Sequence, residues 1–280
     1  MTEKKLKTFI RWQGNKSQHA RHILPLIPKK YNTYIEPFLG SGAILLKHKP
    51  TCWIINDLNR DNINIWNLVK NNPTKIIKTF KTFGAKFKKL SKENKRNKCK
   101  DIINKLNTSD YGDKRSIEYI LMKACSYMGH ILVNNTFKFC GLEIHISMNN
   151  HCAFLSEDYL LNFTRVSKYL NESKGKIYNG DYKRILKKAK KNDFVFLDPP
   201  YVEYHNYAFN YNKDEIIDQQ FIDELVQQVK ILDKRDVFWI MTQANTKQVR
   251  AAFKGYKFKT FEVYRIGSKS YVKELIIMNY

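Results

Sequence analysis

The sequence contains few cysteines and no long apolar run, and both absences limit what kind of protein it encodes. The cysteines form no CxxC pair, which favours a reducing compartment over a disulfide framework; they lie at positions 52, 99, 125, 140 and 152. No apolar segment approaches the ~20 residues that a membrane span requires. The N-terminal residues run directly into polar sequence, without the apolar core of a signal peptide. We therefore expect a soluble intracellular protein with no membrane partner.

Acidic residues are also scarce. The 280 residues include 26 Asp and Glu against 50 Lys and Arg, which gives a formal net charge of +24. Such an excess suits a polyanionic partner such as nucleic acid, although a lysine-rich codon usage would produce the same count. The chain is 43% hydrophobic and 14% aromatic, which is ample for a folded core. Its length fits one large domain, or a core of roughly 180 residues with a smaller insert.

Short apolar runs alternate with amphipathic segments in the first 72 residues. Strands are predicted at residues 34–35 and 52–55, and helices at 43–46 and 63–69. This order of strand, glycine turn, helix, strand and helix is typical of an α/β protein with a parallel sheet. The alternation resumes after residue 172, with further strands predicted at 176–178, 194–197 and 237–241, a helix at 215–232, and β-rich runs at 257–265 and 272–278.

The middle third of the chain, residues 73–172, has a different character. Lys, Asn and Arg dominate residues 86–100, a helix is predicted at 117–128, and residues 134–151 contain several β-branched and aromatic side chains. We therefore predict a mostly helical inserted domain with room for one hairpin. It interrupts an α/β domain that is formed by residues 1–72 and 173–280.

The strongest chemical signal is the segment Phe-Val-Phe-Leu-Asp-Pro-Pro-Tyr at residues 194–201. A buried strand here delivers Asp198 to its carboxyl end, where open α/β sheets bind ligands. Two prolines fix φ in the following turn and supply no amide donors. Asp198 and the Pro199 carbonyl would then be two acceptors beside the Tyr201 ring, as an exocyclic amine on a planar base requires. The alternative is a turn that ends a strand, with Asp198 as a helix cap.

A glycine turn, Glu-Pro-Phe-Leu-Gly-Ser-Gly at residues 36–42, ends the first predicted strand. Glycines at this place let the backbone approach a ligand, and the next helix presents free amides at its N-terminus. A simple turn explains the two glycines equally well, but Asp57 strengthens the binding interpretation. It ends the next strand about 20 residues on, where a carboxylate binds ribose hydroxyls in dinucleotide folds. The turn is not G-x-G-x-x-G, so a pyrophosphate cofactor is less favoured.

Together these motifs resemble those of the Dam-type, α-class DNA adenine-N6 methyltransferases, which use S-adenosylmethionine. The resemblance begins with Phe-Ile-Arg-Trp-Gln-Gly-Asn-Lys at residues 9–16. It continues through 34–46, 54–61, Gly-Asp-Tyr at 180–182, Asp-Pro-Pro-Tyr at 198–201 and the tail at 272–276. It implies a Rossmann-like S-adenosylmethionine-dependent methyltransferase sheet, formed by residues 1–72 and 173–280. Residues 73–172 would be the inserted helical domain that recognises the DNA target.

The resemblance also implies roles for individual residues. Trp12 and Lys16 would lie against S-adenosylmethionine, Asp57 would hold its ribose, and Tyr201 would stack on an adenine extruded from double-stranded DNA. The implied cofactor-binding residues are Trp12, Lys16, Glu36, Phe38, Gly40, Gly42, Asp57, Asp181 and Asp198. The implied catalytic residues are Asp198, Pro199, Pro200 and Tyr201. No metal is expected, because His145, His151 and Cys152 lack a companion pair with ligand spacing.

The insert departs from the family's pattern. Enzymes that read GATC carry an aromatic-Asn-Gly segment with a nearby arginine and an Asn-x-Pro-Phe-Gly turn, whereas the corresponding region here, residues 126–141, lacks that arginine and that turn. Recognition of GATC therefore does not carry over. Methylation of cytosine N4 or of an RNA adenine, and a non-catalytic nucleic-acid-binding descendant, remain open. The aromatic loop 201–214 and the lysine-rich runs 86–100 and 183–191 are candidates for nucleic-acid contact or for plain packing and solvation.

Overall fold

A computed structural model describes residues 5–133, 139–144, 156–201, 219–265 and 270–280. The strands within these residues are β1 (Tyr34–Glu36), β2 (Cys52–Asp57), β3 (Ser126–Val133), β4 (Phe139–Ile144), β5 (Lys174–Asn179), β6 (Phe194–Leu197), β7 (Phe238–Ala244), β8 (Lys257–Arg265) and β9 (Ser270–Met278). The helices are α1 (Ala20–Ile23), α2 (Ala43–His48), α3 (Arg60–Asn71), α4 (Pro73–Lys88), α5 (Lys92–Leu106), α6 (Asp113–Cys125), α7 (Glu157–Glu172), α8 (Tyr182–Leu186), α9 (Gln219–Asp233) and α10 (Lys247–Ala252).

Seven strands form one sheet in the order β5-β2-β1-β6-β7-β9-β8. The first five are parallel, and β9 is antiparallel to both of its neighbours. The predicted α/β fold class is confirmed. The predicted strands of the first 72 residues and of the later α/β part all coincide with observed ones within a few residues.

Side chains alternate between the two faces of the sheet, as the two-residue period of a strand dictates. In β6, Phe194 and Phe196 pack into one apolar cluster with α2 to α7, whereas Val195 and Leu197 pack into another with α8 to α10. All four side chains are buried, so β6 lies at the centre of the core. Because five strands of the sheet are parallel, with helices on both of its faces, their carboxyl ends lie at the same edge. Ligands bind at this edge in such folds.

The inserted region consists of α4, α5, α6 and a two-stranded antiparallel sheet of β3 and β4, followed by α7. Its side chains, including Ile76, Phe80 and Ile103, belong to the same apolar cluster as the sheet residues Tyr34 and Trp53. The insert therefore packs directly on the α/β part. The division at residues 73 and 172 remains a prediction.

The structure corrects one predicted boundary. The helix expected over 117–128 ends at Cys125, and β3 begins at Ser126. Ser126 has an extended backbone (ψ 157°), and its hydroxyl donates to the carbonyl of Lys123, which ends the helix. The hairpin for which the middle third has room is formed by β3 and β4, and its first strand begins at Ser126. Among the described helices, none is both long and apolar enough to span a bilayer.

Candidate functional site

The glycine turn after β1 is fastened to the end of β2. The backbone N–H of Leu39 donates to the carbonyl of Asn56 (2.9 Å), and the N–H of Gly40 donates to Oδ2 of Asp57 (2.8 Å). Both Gly40 and Gly42 have a positive φ, of 49° and 63°. A Cβ at Gly40 would lie 3.0 Å from the Trp12 ring, so the indole rests directly on this turn.

Asp57 is buried with its carboxylate at this edge of the sheet. Besides Gly40, the side chain of Asn62 donates to Oδ2 (3.2 Å) and the backbone of Asn59 donates to Oδ1 (2.9 Å). The pKa of Asp57 is raised above its ordinary value, because the effect of burial exceeds the opposing effects of these donors and of the nearby Lys123 ammonium. A carboxylate offers about four acceptor positions, so three protein donors leave capacity for a ligand hydroxyl.

The end of β5 joins the same edge. The Asn56 side chain donates to the carbonyls of Pro37 (3.0 Å) and Gly180 (2.8 Å), which ties the turn after β5 to the turn after β1. Phe38 and Tyr182 pack ring to ring with centroids 4.8 Å apart. Asp181 caps α8 by accepting the backbone N–H of Lys183 (2.7 Å). It therefore has a structural role, and its half-exposed carboxylate also lies beside this edge.

Asp198 follows β6 and is held by two donors on one oxygen. The hydroxyl of Thr242 in β7 donates to Oδ1 (2.7 Å), and the Lys16 ammonium lies 2.8 Å from the same atom. Lys16 is nearly buried, and its Nζ also lies 4.7 Å from the centroid of the Tyr201 ring. A nitrogen donor thus already sits between the carboxylate and the aromatic face.

The Tyr201 ring is anchored through its hydroxyl, which donates to Oε2 of Glu274 in β9 (2.8 Å). The same oxygen lies 3.1 Å from Nε2 of His19, and both Glu274 and His19 are buried. Burial and the Glu274 carboxylate hold the pKa of Tyr201 well above its usual range, so the hydroxyl remains a donor. The side chain of Gln243 donates to the Pro200 carbonyl (3.3 Å) and so fixes the proline turn as well.

Glu36 lies beneath the site rather than on its surface. Its side chain is buried, and the Tyr34 hydroxyl donates to Oε2 (2.7 Å). Burial, reinforced by the negative charges of Asp198 and Asp57, raises the pKa of Glu36 to about 8. The carboxyl group is therefore largely protonated at neutral pH.

Lys123, near the end of α6, approaches the site from the insert. Its side chain is 1% exposed, and its Nζ lies 4.6 Å from the centroid of the Trp12 ring. Burial lowers the pKa of Lys123 to about 7, although the Asp57 charge acts in the opposite direction.

The structure brings most of the residues singled out in the sequence to one edge of the sheet. Four further side chains contact or support the site residues but are not predicted from sequence patterns, because they come from distant segments of the chain. They are Lys123, His19, Thr242 and Glu274. Only Glu274 gave a signal, as the single acidic residue of the tail segment 272–276. The His145, His151 and Cys152 group and most of the aromatic loop 201–214 lie outside the described residues.

Comparison with known proteins shows the family to which this sequence is similar. The family model of the D12 class N6 adenine-specific DNA methyltransferases matches residues 12–268. The chain is 26% identical to the Type II methyltransferase M1.LlaDCHI of Lactococcus lactis subsp. cremoris, over 98% of this chain and 96% of that protein. It is 26% identical to the Type II methyltransferase M.MjaIII of Methanocaldococcus jannaschii, over 98% and 99%. It is 25% identical to a DNA adenine methylase of Haemophilus influenzae, over 97% and 93%.

Proposed function

Because the chain belongs to the D12 class N6 adenine-specific DNA methyltransferases, we propose how its site performs this reaction. The methyl group comes from S-adenosylmethionine, and the acceptor is the N6 amine of an adenine flipped out of double-stranded DNA. Flipping costs a few kcal/mol and is required because the amine is inaccessible inside the duplex. The family favours adenine in DNA over the cytosine-N4 and RNA alternatives.

One observation carries the assignment of the acceptor site. The Lys16 nitrogen lies 2.8 Å from the Asp198 carboxylate and 4.7 Å from the centre of the Tyr201 ring. An exocyclic amine on a base that stacks on Tyr201 would make the same two contacts. We therefore place the target amine where the Lys16 nitrogen lies. The Lys16 ammonium, which also donates to the Gly14 carbonyl (3.0 Å), would move aside toward the cofactor when the base enters.

The residues around Asp198 then have distinct tasks. S-adenosylmethionine, when bound, supplies an already activated methyl group, so the protein needs no strong nucleophile. Asp198 and the Pro199 carbonyl accept the two N–H groups of the amine, which localises its lone pair and stabilises the developing positive charge. The Thr242 hydroxyl orients the carboxylate. The new bond from N6 to the methyl carbon forms as the bond from that carbon to sulfur breaks, which releases S-adenosylhomocysteine. Asp198 accepts the proton that the methylated amine then loses.

The turn after β1 and the end of β2 suit the cofactor. Gly40 and Gly42 keep the backbone bare of side chains, and the Trp12 indole closes one side of the turn. Asp57 retains acceptor capacity for a ribose hydroxyl. Phe38 adds an apolar wall, whereas Glu36 supports this region from within the core. We assign Asp181 to the rim of the same pocket.

Replacing Asp198 tests the catalytic assignment. Asp198→Ala should abolish methyl transfer, because it removes the acceptor that orients the amine, while the fold remains intact. Asp110→Ala, a change of an exposed aspartate, is the matched control and should leave transfer unchanged. Transfer of labelled methyl groups to DNA and the thermal unfolding midpoint would be measured together. Near-normal turnover of purified Asp198→Ala would contradict the assignment.

A second experiment identifies the target. Random-sequence DNA and, in a parallel reaction, random-sequence RNA are incubated with the enzyme and S-adenosylmethionine, and each methylated base is located. We expect N6-methyladenine within one recurrent sequence. Methylation confined to cytosine or to RNA would support the alternatives, and cofactor binding by calorimetry without any transfer would indicate a non-catalytic descendant.

A further inference from the structure

We propose that Lys123 of α6 is a positioning residue for the cofactor pocket, where its ammonium holds the Trp12 indole against the glycine turn and faces the Asp57 carboxylate. This inference rests on the proposed function, because the pocket wall that Lys123 supports is the one assigned to S-adenosylmethionine. It concerns a lysine that no motif contains and that belongs to the inserted region rather than to the α/β part.

The first support is geometric. The Lys123 Nζ lies 4.6 Å from the centre of the Trp12 ring and 5.5 Å from that of Tyr119. At such distances an ammonium is attracted by the ring, more strongly when both are removed from water. The same indole also lies against the glycine turn, where a Cβ at Gly40 would lie only 3.0 Å from it. Trp12 therefore contacts both the Lys123 ammonium and the turn.

The second support is the charge balance. A lysine that is 1% exposed is costly unless a negative group compensates it, and Asp57 is the carboxylate whose charge acts on Lys123. Other ionisable groups of the neighbouring elements are Tyr119 and Glu118 on α6, Arg11 on the N-terminal segment, Arg60 on α3, and the Asp61–Arg115 pair that joins α3 to α6. Asp61 and Arg115 are paired with each other, and Asp57 at the end of β2 is the carboxylate whose charge acts on Lys123.

The third support is the anchoring of α6. Arg115 forms two hydrogen bonds to Asp61, from Nε to Oδ1 (2.7 Å) and from Nη2 to Oδ2 (2.8 Å). At the other end of α6, Arg11 donates to the carbonyl of Ser126 (3.2 Å). Lys123 lies on α6 between Arg115 and Ser126, the two residues through which the helix is anchored. Its ammonium therefore approaches Trp12 from a helix that is held at both ends.

The test measures cofactor affinity rather than activity. S-adenosylmethionine is titrated by calorimetry into the wild type, Lys123→Met and Lys123→Arg at pH 6.0, 7.0 and 8.5. Lys123→Met keeps the volume but removes the charge, and loss of the cation should weaken binding about tenfold at pH 6.0. Lys123→Arg keeps the charge at every pH and should retain affinity.

The pH series separates positioning from packing. Because the pKa of Lys123 is about 7, the wild type should lose affinity relative to Lys123→Arg as the pH rises from 6.0 to 8.5. The α-amino group of the ligand also titrates at about pH 8. That effect is common to all the proteins, so it cancels in the comparison.

Lys95→Met is the matched control. Lys95 is also buried, and its Nζ lies 5.9 Å from the Phe87 ring, but it belongs to α5, and neither Lys95 nor Phe87 is assigned to the pocket. This variant should bind the cofactor as the wild type does. Thermal unfolding of each variant verifies that it is folded.

The outcomes are distinct. Equal affinity of the wild type and a folded Lys123→Met at pH 6.0 would overturn the inference, as would parallel pH profiles of the wild type and Lys123→Arg. If the wild type itself bound no S-adenosylmethionine, the proposed function would fail instead. If Lys123→Met did not fold, the pH comparison of the wild type with Lys123→Arg would still decide.

Discussion

At the scale of single residues, the Tyr201 ring owes its orientation to side chains from opposite ends of the chain. His19 and Glu274 share a buried contact, and Tyr201 donates to the same carboxylate oxygen. A stacking platform is useful only if its plane is fixed, since small misplacements of a reacting group cost large factors in rate. The Glu274 carboxylate is therefore expected to influence the chemical step more than cofactor binding.

This expectation can be tested at Glu274. Glu274→Leu removes the acceptor of the Tyr201 hydroxyl and should lower kcat for methyl transfer roughly tenfold to hundredfold. Calorimetric affinity for S-adenosylmethionine should change little. Glu274→Gln retains an acceptor and should keep more of the turnover. Glu262→Leu, at an exposed position of the adjacent strand β8, is the control. A weaker cofactor affinity with unchanged kcat would contradict this role.

Glu36 makes the stability of the fold depend on pH. Its pKa is about 8 in the folded protein, against an ordinary value of 4.5, so the folded state binds an extra proton between these values. The stability contributed by this group is complete below pH 4.5 and is lost as the pH rises through 8.

The free energy of unfolding should therefore fall from pH 5 to pH 8 by at least about 1 kcal/mol more in the wild type than in Glu36→Gln. Urea denaturation at several pH values would measure it. Glu172→Gln, at an exposed position, should show the same pH dependence as the wild type. Parallel curves for the wild type and Glu36→Gln would mean that Glu36 is ionised within the fold.

At the scale of secondary-structure elements, the turn between β1 and α2 has no room for a side chain at its last position, Gly42. Gly42 has φ 63°, and a Cβ there would lie 2.4 Å from the Trp66 ring of α3. Gly112 is a suitable contrast, because its φ is 177° and a Cβ there would meet nothing within 4 Å. The two glycines precede helices of the same protein but differ in conformation and in space.

Gly42→Ala should lower the free energy of unfolding by about 2–4 kcal/mol, from strain and overpacking together. Gly112→Ala should change it by less than about 1 kcal/mol. Urea denaturation of both variants gives the comparison. If the clash is the main cause, Gly42→Ala should cost less in a Trp66→Leu background than in the wild type, and an equal cost in both would assign the loss to φ alone.

The elements also show what sequence patterns can and cannot predict. The strands and turns around Glu36, Asp57 and Asp198 were predictable because each is a local run that ends at its own polar residue. The position of β9 between β7 and β8 was not, since pairing of strands is a property of the whole sheet. The end of α6 is not predictable from the pattern, because residues 126–128 continue the helical periodicity of the sequence. In the structure, however, Ser126 already has an extended backbone. Lys123 was overlooked for a related reason, since its partners lie on other elements.

At the scale of the whole molecule, the excess positive charge suits the DNA substrate of the family, whose phosphates are negatively charged. Lysines contact DNA phosphates, and each such contact makes the fall of log affinity with log salt steeper by about 0.9. In the run 183–191, Lys183 pairs with Glu224 and Lys191 pairs with Asp236. The exposed lysines 88, 89 and 92 belong to the inserted region, which the family resemblance predicts to recognise the DNA target.

We therefore expect the triple change of lysines 88, 89 and 92 to glutamine to reduce the salt slope by about 2–3. The same change of lysines 187, 188 and 190 should leave it nearly unaltered. DNA binding would be measured by fluorescence anisotropy of labelled duplexes between 50 and 200 mM salt. Over this range the affinity of a protein that contacts several phosphates falls steeply. If the change of lysines 187, 188 and 190 reduced the salt slope more, the phosphate contacts would lie on the segment that follows α8 instead.

The placement of Trp12 also has an optical consequence. The other three tryptophans, Trp53, Trp66 and Trp239, are at most 1% exposed, whereas Trp12 is half-buried. A collisional quencher dissolved in water therefore reaches one indole selectively, and that indole forms part of the pocket wall. Its accessibility provides an intrinsic, label-free signal of pocket occupancy in which the remaining emission serves as an internal standard.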